Sequence, residues 1–118
     1  MRNEFGAKLE VKMDEFAHLV YGISKKFPRE EVYGVTSQLR RAALSVILNY
    51  LEGYARGRTL VFINFLEISY GSLKESKYLL NFCLKEGYLT AEEFKKADQL
   101  GEEIGAMLWY TIKSLKNK

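Results

Sequence analysis

Side chains able to hold a metal, move a proton or attack a substrate are few in this chain, and they do not form useful sets. His18 is its one histidine and Cys83 its one cysteine. Neither a zinc-type ligand cluster nor a Cys–His nucleophile pair is therefore expected on one copy. His18 reads as a helix surface residue and Cys83 as a small apolar residue near a helix end. The glycines of "EGYARGR" lack the G-x-x-x-x-G-K-[ST] spacing, and no strand precedes them, so they make no phosphate loop. Glu30–Glu31 and Glu92–Glu93 look like helix-end charges. Glu52 stands apart, because it precedes Arg56 by one helical turn, the spacing of an ion pair. A catalytic carboxylate would need a partner base or metal that the sequence does not supply. The chain is accordingly read as non-enzymatic, with no catalytic residue, metal or cofactor and with Glu52–Arg56 as a structural ion pair.

The elements that position these residues follow from composition and periodicity. With 118 residues, 47% hydrophobic and 28% charged, the chain is globular and long enough for one domain over 1–118. A single cysteine and an N-terminus without a signal-like apolar run point to a reducing, cytoplasmic setting. A membrane span is not expected. The most apolar run, Ala42 to Leu51, is interrupted by Ser45 and Asn49 and closed by Glu52, whereas a spanning helix needs about 20 predominantly apolar residues.

Apolar residues recur at helical spacing almost throughout. Leu9, Met13, Phe16, Val20, Ile23 and Phe27 mark a first helix, preceded by an N-terminal extension (1–8) and ended at Pro28. A second helix starts with Thr36 or Ser37 as N-cap and ends near Gly57. A third follows Thr59 with the seam Phe62, Leu66, Ser69, Leu73, Ser76, Leu80 and Cys83, and stops at Gly87. Thr90 and Glu93 make a capping box for a fourth, whose seam is Phe94, Ala97, Gly101, Ile104, Leu108 and Leu115. Four helices on short connections predict an all-α fold, an antiparallel up-down-up-down four-helix bundle.

The second helix has more apolar surface than one core requires. At 100° per residue, Leu39, Ala43, Val46, Tyr50 and Tyr54 share an arc that Leu44, Ile47, Leu48 and Leu51 extend to roughly 200°, against about 100° for a helix facing one core. Arg41, Ser45, Asn49, Glu52 and Arg56 form the polar stripe opposite, and Arg40 projects into the apolar sector. Further off-seam residues, Ile63, Tyr70, Met107, Trp109 and Tyr110, add to the excess. Such surplus marks an association site, so a homo-oligomer is expected, with Arg40, Leu44, Ile47, Leu48, Leu51 and Trp109 at its interface.

In an alternating bundle, the start of the first helix, the second-to-third turn and the C-terminus share one end. Arg56, Arg58, Lys113, Lys116 and Lys118 gather there with Lys8 and Lys12, partly offset by Glu10, Asp14 and Glu15. Repeated around an oligomer, these cations would form a basic rim able to contact RNA phosphates.

The stretches "KKFPREEVYGVTSQLRRAA", "NYLEGYARG" and "FINFLEISYGSLKES" resemble the four-helix bundle proteins of the 23S ribosomal RNA intervening-sequence family. The resemblance implies a ring-shaped assembly, typically a pentamer. Related bundles act as accessory proteins of diversity-generating retroelements, where a basic pentamer binds RNA and a reverse transcriptase. Members commonly read S-I-P-x-N-I-A-E-G where this chain has Ser45 to Gly53, with Ile47 in place of the proline. That departure predicts a straighter, more apolar second helix. The function expected is RNA or ribonucleoprotein binding through Arg56, Arg58, Lys113, Lys116 and Lys118. The alternative is a protein–protein scaffold or a reverse transcriptase subunit.

Overall fold

A computed structural model describes residues 3–118. Among them lie four α-helices and a single 3-10 turn, with no strand: α1 (Glu4–Ser24), the turn Arg29–Glu31, α2 (Val35–Arg56), α3 (Thr59–Lys85) and α4 (Ala91–Lys116). Contacts at both ends establish the antiparallel order. The Phe5 ring of α1 lies 5.3 Å from that of Tyr110 in α4, and the Tyr50 hydroxyl of α2 donates to the Gly6 carbonyl at 3.4 Å. At the other end the Arg40 guanidinium donates to the Ser24 hydroxyl at 2.7 Å. Helix α1 packs on α2 and α4, and α3 packs on the same two. The result is an up-down-up-down four-helix bundle of 46 × 25 × 19 Å.

The heptad-like seams become the core. Leu9, Met13, Phe16 and Val20 of α1 are fully buried with Leu66, Leu73, Leu80 and Cys83 of α3 and Ala97, Ile104 and Leu108 of α4. Removing this apolar surface from water is the main stabilising term, about 25 cal/mol per Å². The α2–α3 contact is closer than the rest and partly polar. The Ser69 hydroxyl donates to the Val46 carbonyl at 2.6 Å, and the Ser45 and Ser72 hydroxyls share a hydrogen bond of 2.7 Å. Asn49 donates to the Ser45 hydroxyl at 2.8 Å. Gly53 permits the approach, since a Cβ there would stand 2.5 Å from Phe65 Cβ. The stripe of Ser45 and Asn49, expected to oppose the core, therefore leans on α3. Small polar residues allow close backbones and satisfy one another.

Local sequence explains the ends of the helices. Thr90 and Glu93 form the expected capping box on α4. Gly57 and Gly87 adopt positive φ, 69° and 80°. After α3, Tyr88 N–H reaches the Cys83 carbonyl at 2.9 Å and Gly87 N–H the Leu84 carbonyl at 3.0 Å, the Schellman pattern that a left-handed glycine makes available.

Three boundaries differ from expectation. Helix α1 begins at Glu4, inside the stretch read as an extension, because Asn3 caps it by accepting from Gly6 N–H at 2.8 Å; residues 1–2 of that extension lie outside the described residues. Helix α2 begins at Val35 with Gly34 as N-cap. Glu31 supplies the acceptor for Val35 N–H at 3.2 Å, which leaves Thr36 and Ser37 inside the helix rather than capping it. Thr36 is buried with its hydroxyl unpartnered among the described residues. Helix α1 ends at Ser24, and Phe27 stays buried by turning back over the core, 5.7 Å from the Tyr88 ring.

Candidate nucleic-acid interface at the open end

Two of the bundle's connections, residues 25–34 and 86–90, cross one end. The other end is crossed only by Gly57–Arg58. With so short a connection there, side chains rather than backbone must fill the space between the helix tips, and they fill it incompletely. A cavity of about 390 Å³ remains, lined by Phe5 and Gly6 of α1, Tyr50 and Tyr54 of α2, Phe62 of α3, and Tyr110 and Ser114 of α4, with Lys118 at its edge. The rings are mutually packed. Phe62 meets Tyr50 edge-on at 5.8 Å and Tyr54 at 6.0 Å, and Tyr50 and Tyr54 stack at 6.5 Å.

Lys118 lines this opening and Arg58 an adjoining cavity. Among the described residues no carboxylate pairs with Arg58, Lys113 or Lys118. Lys113 sits over the Trp109 ring at 5.1 Å. Arg58 stands as N-cap of α3 without a side-chain cap, and the first turn of α3 has no acid.

The expected basic residues thus divide. Arg58, Lys113 and Lys118 are exposed at one end as anticipated. Arg56 is engaged by Glu52, with the guanidinium donating to the carboxylate at 2.6 Å and 2.9 Å, and it lies 5.5 Å over the Phe65 ring. The expected Glu52–Arg56 ion pair is present. Lys116 bridges α4 to Glu67 of α3 at 2.8 Å, and Lys12 bridges α1 to Glu103 at 2.8 Å, which raises the Lys12 pKa.

The residues assigned to an oligomer interface also divide. Leu48 is 57% exposed, Leu51 39% and Trp109 51%, while Leu44 and Ile47 are half-buried beside them. Arg40 turns inward: it donates to Ser24 and to the Tyr21 carbonyl and stacks 4.6 Å over the Tyr21 ring. Its projection into the apolar sector is explained by this contact with α1. Ile63, read as surplus, is buried, and Met107 packs on the core.

Elsewhere the titratable side chains have ordinary structural settings. His18 lies exposed, 3.4 Å from Asp14. Burial pushes the Cys83 thiol up to about 11, with Glu31 and Glu86 adding to the shift, so the thiolate needed for nucleophilic work is scarce at neutral pH. Among the described residues no group of three or more His, Cys, Asp or Glu could hold a metal ion, and no helix is long and apolar enough to cross a membrane.

The aromatic cavity is absent from the sequence-based expectations. Its signals were the i,i+4 pair Tyr50–Tyr54 and Phe5 in the supposed extension. Neither shows, without the packing, that four helix tips would leave a gap.

Comparison with known proteins gives a family and a fold. A solved structure of a protein of unknown function from the S23 ribosomal protein family of Bacteroides thetaiotaomicron superposes with a TM-score of 0.83 at 24% identity, covering 89% of this chain and 98% of that one. At that identity the likeness speaks for the bundle alone. No curated protein matches. The sequence profile of the 23S rRNA-intervening sequence proteins matches residues 8–110, nearly the whole bundle, and the chain belongs to the 23S rRNA-intervening sequence protein family.

Proposed function

We propose that this protein is a non-enzymatic homo-oligomeric bundle, a ring and most simply a pentamer, that binds RNA electrostatically through its open end. The observation that carries the reading is the gathering of Arg58, Lys113 and Lys118 around one end without carboxylate partners among the described residues. Cations that a fold does not use internally are available to phosphates, and each phosphate neutralised releases counterions. A ring would bring several such ends together and strengthen the field. The exposed leucines of α2, Leu48 and Leu51, support the oligomer, since a lone soluble domain gains nothing from presenting them to water.

RNA affinity measured over a salt series tests the reading. Binding should fall steeply with salt, and each of Arg58→Ala and Lys118→Ala should reduce the log–log slope by about 0.7 per copy engaged. Absence of binding at low salt overturns the reading. Sedimentation tests the assembly: the wild type should be oligomeric and Leu48→Asp monomeric yet folded, and a wild-type monomer overturns it.

A second reading, a scaffold for a protein such as a reverse transcriptase, is favoured by Ile68, Tyr78 and Phe82, exposed along the outer face of α3. It predicts a complex that survives high salt and is lost on Tyr78→Asp.

A further inference from the structure

Phosphate contact alone needs cations and no rings, yet the open end is lined with rings. Tyr54 is 39% exposed and Tyr110 63%, and both face the cavity that Tyr50, Phe62 and Phe5 help to line. Its volume of about 390 Å³ lies within the usual size of sites for small organic groups. The polar groups among its lining can make hydrogen bonds. Asn3 uses its carbonyl oxygen to cap α1 and keeps its amide N–H groups, while Ser114 contributes a hydroxyl.

The electrostatics select the kind of guest. An aromatic cage for a cation is usually helped by a nearby carboxylate, but no Asp or Glu side chain lines this cavity and Lys118 stands at its edge. A neutral, flat, π-faced group attached to an anion suits it better. Tyr54 and Phe62 also line a second cavity of about 340 Å³, together with Gly53, Gly57, Arg58 and Thr59. The two rings are thus shared by both cavities, with Lys118 in the lining of the first and Arg58 in that of the second. A nucleotide carries the matching pair of features, a flat base and a phosphate.

We propose that the aromatic cavity receives an unpaired base of single-stranded RNA, stacked against Tyr54 and Tyr110, while Arg58 and Lys118 hold the flanking phosphates. The inference rests on the RNA-binding reading above and adds the base to it. Bases inside a duplex are paired and stacked and cannot enter, so single strands are preferred over duplex of equal charge. Because every base has a π-face, the site tolerates many sequences.

The test compares, by fluorescence anisotropy at fixed low salt, a short single-stranded ribo-oligonucleotide with an abasic oligomer of the same length and phosphate count. The wild-type protein should bind the abasic oligomer at least about fivefold more weakly, the loss expected for one stacked base. Tyr54→Ala and Tyr110→Ala should weaken binding of the base-bearing strand by a similar factor and leave the abasic oligomer unchanged, whereas Tyr54→Phe keeps wild-type affinity. Equal binding of the two oligomers, with steep salt dependence retained, overturns the base site and leaves electrostatic RNA binding standing. A lack of binding to either at low salt overturns both. Since the oligomer comparison uses the unaltered protein, a variant that folds poorly does not blunt the result.

Discussion

Where α1 and α3 finish and α2 and α4 begin, side chains and connections close the space between the helices. Lys26 meets Glu93, and Arg40 is held by Ser24 and the Tyr21 carbonyl. Tyr88 donates to Glu31 at 3.1 Å, and Phe27 and Leu89 close over the core. At the opposite end Arg56 and Lys116 pair with Glu52 and Glu67, whereas Arg58, Lys113 and Lys118 have no acidic partner among the described residues, and tyrosine rings border a gap. The difference follows from connectivity. In an up-down-up-down bundle two connections cross one end and a single connection crosses the other. The crossed end receives backbone and apolar plugs, such as Phe27 in the 25–34 connection and Leu89 in the 86–90 connection. The end crossed only by Gly57–Arg58 has too little chain for a plug. A bundle thus has a built-in asymmetry that fills one end with chain and leaves the other to side chains alone.

This contrast is broken most sharply by removing a ring from each end. Phe27→Ala deletes a buried ring that plugs the closed end and should cost about 3–5 kcal/mol of unfolding free energy in urea denaturation. Tyr110→Ala removes a mostly exposed ring and should stay within about 1 kcal/mol. Comparable losses would show that the open end is as much a part of the core as the closed one. An intermediate effect is expected at Gly53, beside the open end. An added Cβ would meet Phe65 Cβ at 2.5 Å and Phe62 Cδ1 at 3.1 Å, so Gly53→Ala must part α2 from α3 at a cost of about 1–3 kcal/mol. The same measurement checks it, and an unchanged midpoint would mean that the two helices are not tightly apposed there.

Sequence made the bundle legible because its rules are local. The period of Leu66, Leu73 and Leu80, the capping box at Thr90 and the left-handed glycines 57 and 87 each depend on a few neighbouring residues. Where a side chain depended on a partner far along the chain, the expectation went astray. Arg40 looked like a border residue because Tyr21 and Ser24, in another helix, could not be seen to claim it. The α2 start was misplaced because its acceptor comes from Glu31 rather than from a hydroxyl at the cap. The candidate site was half legible. Which cations share an end follows from topology, but which of them are neutralised depends on pairs such as Lys116–Glu67, 49 residues apart. The cavity depends on unfilled volume, which periodicity does not describe.

The fate of the arginines sharpens the comparison at a smaller scale. Arg40→Ala removes charge-assisted hydrogen bonds and a ring contact at the half-buried junction of α1 and α2, and should cost about 1–2 kcal/mol. Arg40→Lys should recover only part of this, because a compact ammonium cannot both donate to Ser24 and the Tyr21 carbonyl and lie flat on the ring. Arg58→Ala should leave the unfolding curve within about 0.5 kcal/mol and instead flatten the salt dependence of RNA binding. If Arg58→Ala destabilises as much as Arg40→Ala, the cation is structural and the proposed phosphate contact at the open end is overturned.

Acid should affect the closed end first, though modestly. The Glu93 carboxylate accepts from the Lys26 ammonium and then from Thr90 N–H, at 2.9 Å, and both contacts hold its pKa below the ordinary 4.5. A group whose folded pKa is depressed contributes stability that is fully present above its unfolded pKa and is lost as pH falls through the folded one. The window therefore opens near pH 4.5 and extends downward, while Lys26 stays protonated throughout. Loss of the charged partner in the capping box and of an exposed ion pair should together amount to less than about 1 kcal/mol. It should appear as faster amide exchange in the first turn of α4 before the remainder of that helix responds. Glu93→Gln has no carboxylate to titrate at this position, so its first turn should exchange at a rate that does not change further across the window after correction for intrinsic chemistry. Equal acid sensitivity of wild type and variant would mean that Lys26 and Thr90 do not hold Glu93 in solution, and the closed end would lose one of the pairings that distinguish it from the open one.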